Sequence, residues 1–112
     1  MTRKAKKYLF DILQSIGYIL NHHLLQVKDA DDLMQNITVK KAVERDLGII
    51  GEALYQLKRE DVLVNGFDRY VNRRNTLIHQ YDAISPQTLW EVAQQDLPEL
   101  KTEVEKLLAS TE

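Results

Sequence analysis

Apolar residues recur at intervals of three and four along most of the chain, which is the spacing of one face of an α-helix. The first run predicts a helix over residues 6–27, and the charged residues 28–32 interrupt it. A short helical turn is expected near residues 32–35. The next run predicts a second helix over residues 38–58, with Thr38 as its N-cap, because a threonine side chain can accept a hydrogen bond from a free first-turn amide.

Two further helices are predicted in the second half of the chain. A connection ends at Gly66, and the third helix covers residues 67–79. The fourth begins at Ser85-Pro86, since serine is a good cap and proline is tolerated in the first helical turn. We expect Pro98 to kink this helix or to split it after Asp96.

Short connections between four helices predict an all-α fold, an antiparallel four-helix bundle with a short extra helix and a kinked last helix. The chain has 112 residues, which is the size of one domain, so residues 1–112 are expected to form a single helical domain. Glycine and proline are scarce, with 4 and 2 copies, and this favours long helices over a turn-rich sheet.

The chain has no cysteine, which excludes disulfides and thiolate metal sites. No apolar run approaches the roughly 18 residues that a membrane span needs. Residues 1–7 are basic, as in a signal peptide, but Asp11, Gln14 and Ser15 break the following apolar run, and no cleavage site of small residues follows. We therefore expect a cytoplasmic protein without a membrane partner.

Charge is distributed unevenly although the formal net charge is only −2. Residues 1–81 carry a net charge of +3, and residues 82–112 carry −5. A local basic site for RNA is compatible with this pattern, whereas a broad basic surface is not evident. Ordinary surface charge is the simpler interpretation of the asymmetry taken by itself.

Arg74 is the most informative residue of the third helix. At about 100° per residue, Phe67, Tyr70 and Ile78 lie within about 60° of it, so the arginine falls in the middle of the apolar stripe. A guanidinium facing the core is costly without a partner. Either it forms a buried ion pair, with Glu52 as a candidate, or this face lines a cleft or subunit interface that binds an anion such as phosphate.

His79 follows Arg74 by five residues, roughly 7.5 Å along a helix axis. Asn75 precedes the histidine by one turn and could orient its ring. Histidine suits proton transfer at neutral pH, because its free pKa is about 6.5. A structural or solvated histidine is the alternative.

Other polar or special residues carry less weight. His22 and His23 are adjacent, so their rings point about 100° apart and do not readily share a metal; we expect surface and helix-edge positions for them. Gly48 and Gly51 lie inside the second helix, where such glycines suggest close helix approach, with a dimer contact as one option. The sequence has no glycine-rich phosphate loop and no His-Glu-x-x-His, and no cofactor is expected.

The segment Arg74-x4-His79-x-Tyr81 resembles the Arg-x4-His-x-Tyr motif of the HepT toxins of the HEPN superfamily. Asn75 accompanies the motif, and the resemblance extends over roughly residues 5–109. Further segments that contribute to it are Arg45 with Gly51-Glu52-Ala53, Trp90-x-Val92, and Asp96-Leu97-Pro98.

The resemblance implies the toxin of a type VII-like toxin–antitoxin system. Such a toxin is a metal-independent endoribonuclease that forms a homodimer, within a larger hetero-oligomer, with the motifs of both chains at the interface. We expect Arg74 and His79 to be the catalytic residues and Asn75 to orient the site. Glu52 either supports Arg74 or is a plain surface residue. The resemblance also implies a minimal nucleotidyltransferase (MNT) antitoxin as partner, which can transfer AMP to Tyr81.

Two other classes of function stay open on the sequence. One is a non-catalytic helical module that binds a nucleotidyltransferase or a nucleotide through the Arg74 face. The other is a structural adaptor in which Arg74 and Glu52 form a buried pair.

Overall fold

The computed structural model describes residues 1–72 and 86–110. Within these ranges the chain is a bundle of helices without strands, as predicted. The helix α1 packs mainly against α3, and the last helix also packs on α1. The α-helices are α1 Arg3–Asn21, α2 Ala30–Gln35, α3 Ile37–Arg59, α4 with described residues 67–72, α5 Pro86–Glu91 and α6 Leu97–Ala109.

Helix α1 begins earlier and ends earlier than the apolar pattern predicts. Thr2 caps it, with its hydroxyl accepting from the amide of Ala5 at 3.0 Å. The prediction of one helix to residue 27 is wrong, because the α-helix ends at Asn21 and a 3₁₀ turn, His23–Gln26, follows. Leu24 and Val27 are buried nevertheless, so the apolar spacing continued past the end of the α-helix and concealed it.

Two side-chain caps define α2 and α3. The short helix predicted near residues 32–35 is α2, and the carboxylate of Asp29 accepts from the amide of Asp32 at 2.9 Å. The cap of α3 is Asn36 and not Thr38, as its Oδ1 accepts from the amide of Val39 at 3.1 Å. Asparagine is at least as good an N-cap as threonine, so the helix gains two residues at its start.

A short connection links α3 to α4. The backbone has positive φ at Asp61 (59°) and at Gly66 (89°), and the connection ends at Gly66 as predicted. Glycine adopts this left-handed conformation at little cost, which lets the chain turn directly into α4 at residue 67.

The last helical segment contains a wider turn at the predicted place. Residues Val92–Asp96 form a π-helical turn between α5 and α6, in which the amide of Leu97 donates to the carbonyl of Val92, five residues back. Pro98 lies in the first turn of α6. A proline ring crowds the carbonyl four residues earlier, here that of Gln94, and the π turn changes the geometry at that carbonyl.

The core lies between α1, α3 and the segment from α5 to α6, with α2 and α4 closing it. Each fully buried aliphatic side chain contributes about 1.5–3 kcal/mol to folding. The largest fully buried side chains include Leu9, Ile12, Ile16, Ile19, Leu33, Leu47, Ile50, Leu54, Leu57 and Leu97. None of the helices in the described ranges combines the length and apolarity needed to cross a bilayer.

The interior glycine Gly48 is not explained by packing within the described chain. A Cβ added there would meet no described atom within 4 Å. Gly48 instead lines a shallow groove between α1 and α3. The close helix approach predicted for it is therefore not found inside the described chain, and a contact between two chains stays a prediction.

Candidate functional site

The predicted site residues Arg74, Asn75, His79 and Tyr81 lie outside the described residues. Their roles and their mutual geometry therefore stay predictions. The structure does describe the two elements that lead into and out of this segment, the start of α4 and the start of α5. The start of α4 tests whether the third helix has the apolar face on which Arg74 is predicted to lie.

The first turns of α4 have the apolar face that the sequence predicts. Phe67, Tyr70 and Val71 are buried, while Asp68 and Asn72 are exposed. Arg74 is predicted to lie in the same apolar stripe, on the basis of a rotation of about 100° per residue. The predicted direction of the apolar face is confirmed as far as residue 72. The position of Arg74 is an extrapolation from this observed face.

Helix α4 is fixed to α3 by its aromatic residues. The Tyr70 hydroxyl donates to the backbone carbonyl of Leu47 at 3.1 Å inside the bundle. The Phe67 ring packs edge-on against Tyr55, with centroids 5.5 Å apart, and the Lys58 ammonium lies 5.2 Å from the Phe67 centroid. These contacts determine the direction in which α4 leaves Gly66 toward the motif.

An ion pair fixes the other side of α4 to the π turn. Arg69 Nη2 lies 3.3 Å from Oδ1 of Asp96, and Nη1 lies 3.7 Å from Oε2 of Glu99. Asp96 is buried, 6% exposed, at the end of the π turn. A buried carboxylate needs a charged or hydrogen-bonding partner, so this arginine gives the Asp96-Leu97-Pro98 segment a structural role.

Glu52 is the one proposed support residue inside the described ranges. It lies exposed on α3 and accepts a hydrogen bond from Nε2 of Gln56 at 2.9 Å. Its carboxylate lines the α1–α3 groove together with Tyr8 and Arg45. An ion pair between Glu52 and Arg74 stays a prediction.

Sequence reasoning missed a buried polar pair near the end of α1. Nε2 of His23 lies 2.8 Å from Oδ2 of Asp46, and both side chains are largely buried, 15% and 10% exposed. His22 is exposed as predicted, but His23 is not a plain surface residue. The available signal was Asp46, an acidic residue one position before the buried Leu47 on the flank of the α3 core stripe.

Within the described ranges, no group of three or more histidine and acidic side chains is placed to hold a metal ion. His22 and His23 lie with their ring centroids 5.3 Å apart in an edge-to-face arrangement.

Nearly the whole chain is similar to proteins named "Putative RNase". "Putative RNase MJ0125" and "Putative RNase MJ1216" of Methanocaldococcus jannaschii are each 34% identical to it over 113 residues. Both alignments cover 98% of this chain, with 96% of the first relative and 92% of the second. "Putative RNase TTE0752" of Caldanaerobacter subterraneus is 26% identical over 109 residues, covering 95% of this chain and 96% of that protein.

No solved structure matches the chain at a significant level. The family model "Ribonuclease HepT-like" matches residues 2–107, a range that includes the Arg74–Tyr81 motif and the described helices except the last two residues of α6. Together with full-length relatives at 34% identity, this match shows that the chain belongs to the HepT-like ribonuclease family of the HEPN superfamily.

Proposed function

We propose that this protein is a metal-independent endoribonuclease and the toxin of a toxin–antitoxin system, acting as a homodimer and silenced by AMP transfer to Tyr81. One observation carries the proposal: the sequence Arg74-x4-His79-x-Tyr81 lies within a chain whose residues 2–107 match the HepT-like ribonuclease family. The three relatives named above all carry the name "Putative RNase", which supports RNA as the substrate.

The proposed chemistry uses the RNA's own 2′-hydroxyl as nucleophile. A base removes the 2′-hydroxyl proton, the 2′-oxygen attacks phosphorus, and the bond to the 5′-oxygen breaks as an acid protonates that oxygen. The products are a 2′,3′-cyclic phosphate and a 5′-hydroxyl. His79 handles the protons, and Arg74 binds the scissile phosphate and stabilises its developing negative charge.

Asn75 orients the imidazole and Glu52 supports the arginine in this proposal. One chain supplies a single motif histidine, although the reaction needs both an acid and a base. A two-fold dimer brings two copies of His79 and Arg74 to one cleft, because an isologous interface places the same residues on both sides of its axis.

The test is cleavage of RNA in EDTA by purified wild type, His79→Ala and Arg74→Ala. We expect a loss of at least about a hundredfold for His79→Ala, the usual scale for a general acid or base. Arg59→Ala is a matched control for Arg74→Ala because Arg59 is exposed at the end of α3 and outside the motif. Full activity in both motif variants would reject the proposed roles, and binding without any cleavage by the wild type would favour a non-catalytic module.

The proposed silencing reaction is transfer of AMP from ATP to Tyr81. The phenol oxygen attacks the α-phosphorus of ATP, pyrophosphate leaves, and the phenol proton is lost to a base of the antitoxin. The new phosphodiester places a negative charge two residues from His79, where it competes with RNA phosphate for Arg74, and the adenosine blocks the cleft.

Intact mass after incubation with an MNT-type nucleotidyltransferase and ATP tests this step. We expect the mass to increase by one or more AMP units in the wild type and to stay unchanged in Tyr81→Phe. Tyr18→Phe serves as the control, since Tyr18 is 48% exposed and lies outside the motif. An increase that persists in Tyr81→Phe would contradict the assignment of the acceptor.

A further inference from the structure

A pocket lined by both polar and apolar side chains lies at the C-terminal end of α1, where that helix meets the first half of α3. Its volume is about 570 Å³, within the range of cavities that hold small molecules. Tyr18, His22 and His23 line one side of it, and Lys41, Arg45 and Asp46 line the other. None of these residues belongs to the Arg74–Tyr81 motif.

Lys41 and Arg45 give this pocket two positive charges on one helix face. They are four residues apart on α3, so their side chains are neighbours, and like charges at this spacing repel each other. Both are exposed, and neither forms an ion pair with any residue in 1–72 or 86–110. The adjacent positions show the ordinary arrangement, because Lys40 pairs with Glu44 at 3.0 Å.

Asp46, the acidic residue that lines the pocket, already has His23 as its partner. Oδ2 of Asp46 lies 2.8 Å from Nε2 of His23, and its side chain is only 10% exposed. Asp46 thereby fixes the imidazole and is directed toward it. The Asp46 carboxylate therefore contacts His23, on the opposite wall of the pocket, and not Lys41 or Arg45.

Three aromatic rings form that wall. The Tyr18 and His23 centroids are 6.5 Å apart and the His22 and His23 centroids 5.3 Å apart, and Tyr18 is 48% exposed. Exposed aromatic rings beside cationic side chains are the combination that binds single-stranded nucleic acid, as bases stack on the rings and phosphates lie on the cations. We propose that this pocket is an RNA subsite that binds a phosphate on Lys41 and Arg45 and an unpaired base on Tyr18 and His22.

The groove between α1 and α3 continues from this pocket toward the start of α1. Its acidic side chains limit how far bound RNA can extend along it. Asp11 and Glu52 line its other end, next to Gly48. Asp11 also accepts a hydrogen bond from Lys7 at 2.9 Å, which raises the pKa of Lys7. Carboxylates repel phosphate, so the phosphate contact is confined to the Lys41–Arg45 end.

The experiment measures binding of a fluorescein-labelled 2′-O-methyl oligoribonucleotide of about eight nucleotides by fluorescence anisotropy. The methyl group removes the nucleophilic hydroxyl, so binding is read without cleavage. We expect Lys41→Gln and Arg45→Gln each to weaken binding about tenfold and to flatten the dependence of log K on log salt by about 0.7. Tyr18→Ala should weaken binding with little change in the salt dependence.

Lys40→Gln is the matched control, since it removes the same charge one residue away on α3 but from a residue paired with Glu44. Equal weakening by Lys40→Gln and Lys41→Gln, or no weakening by Lys41→Gln and Arg45→Gln, would overturn the subsite. Because the subsite rests on the proposed RNA substrate, cleavage in EDTA is measured separately. Cleavage without Lys41-dependent binding rejects the subsite alone, and Lys41-dependent binding without cleavage rejects the nuclease alone.

Discussion

At the scale of single residues, neighbouring positions of the same type have different environments. His22 is exposed, while His23 is part-buried against Asp46, and the sequence gives no direct sign of the difference. The difference arises because α1 ends at Asn21 and the 3₁₀ turn directs His23 onto α3. Only a tertiary contact between residues 23 positions apart determines which histidine is structural.

His23→Ala should destabilise the fold by about 1–3 kcal/mol, because it leaves the largely buried Asp46 carboxylate without its imidazole partner. His22→Ala, in the exposed neighbour, should change the free energy of unfolding by less than about 0.5 kcal/mol. Urea denaturation of both variants provides the comparison. Equal effects of the two substitutions would show that the His23–Asp46 contact does not contribute to stability.

At the scale of helices, the apolar spacing identified the long elements but misplaced both ends of α1 and the start of α3. The core faces of α1 and α3 and the first turns of α4 agree with the periodicity, since burial selects apolar residues at that spacing. The end of α1 was missed because Leu24 and Val27 stay buried beyond it. The start of α3 was misplaced because Asn36 and Thr38 are both residues that can cap, and only geometry distinguishes them.

The pair Asn36 and Thr38 gives a direct test of the α3 boundary. Asn36→Ala should cost about 1 kcal/mol because the amide of Val39 loses its side-chain acceptor. Thr38→Ala should be close to neutral, because Thr38 is an exposed residue inside the helix. Thermal unfolding should show a midpoint lower by several degrees for Asn36→Ala only. A larger decrease of the unfolding midpoint for Thr38→Ala would indicate that Thr38 is the N-cap.

At the scale of the whole molecule, the site could be predicted from the sequence as a set of residues but not as an arrangement. The apolar face of α4 is confirmed by Phe67, Tyr70 and Val71. That Arg74 continues this buried or interfacial face stays a prediction. The periodicity of one helix does not identify the partner of that arginine. In the proposed dimer, a second chain contributes its own motif to the same cleft.

Mixing experiments test whether the active unit is a dimer with a shared cleft. Co-refolding wild type with an excess of His79→Ala chains should reduce the activity per wild-type chain, because most wild-type chains then share a cleft with only one motif histidine. The same excess of Arg59→Ala chains should not reduce it, because Arg59 is exposed and outside the motif. Activity per wild-type chain that stays constant in both mixtures would indicate a site complete within one chain.

The central claim is that the Arg74–His79 motif cleaves RNA through the substrate's own 2′-hydroxyl and without a metal ion. The most direct measurement compares, in EDTA, an RNA cut by the wild type with the same RNA carrying a single 2′-deoxy nucleotide on the 5′ side of the cleaved bond. We predict cleavage of the first, with 2′,3′-cyclic phosphate and 5′-hydroxyl ends, and no cleavage of the second at that bond. Cleavage of the 2′-deoxy substrate at the same bond, or activity only when a divalent metal is added, would contradict the account.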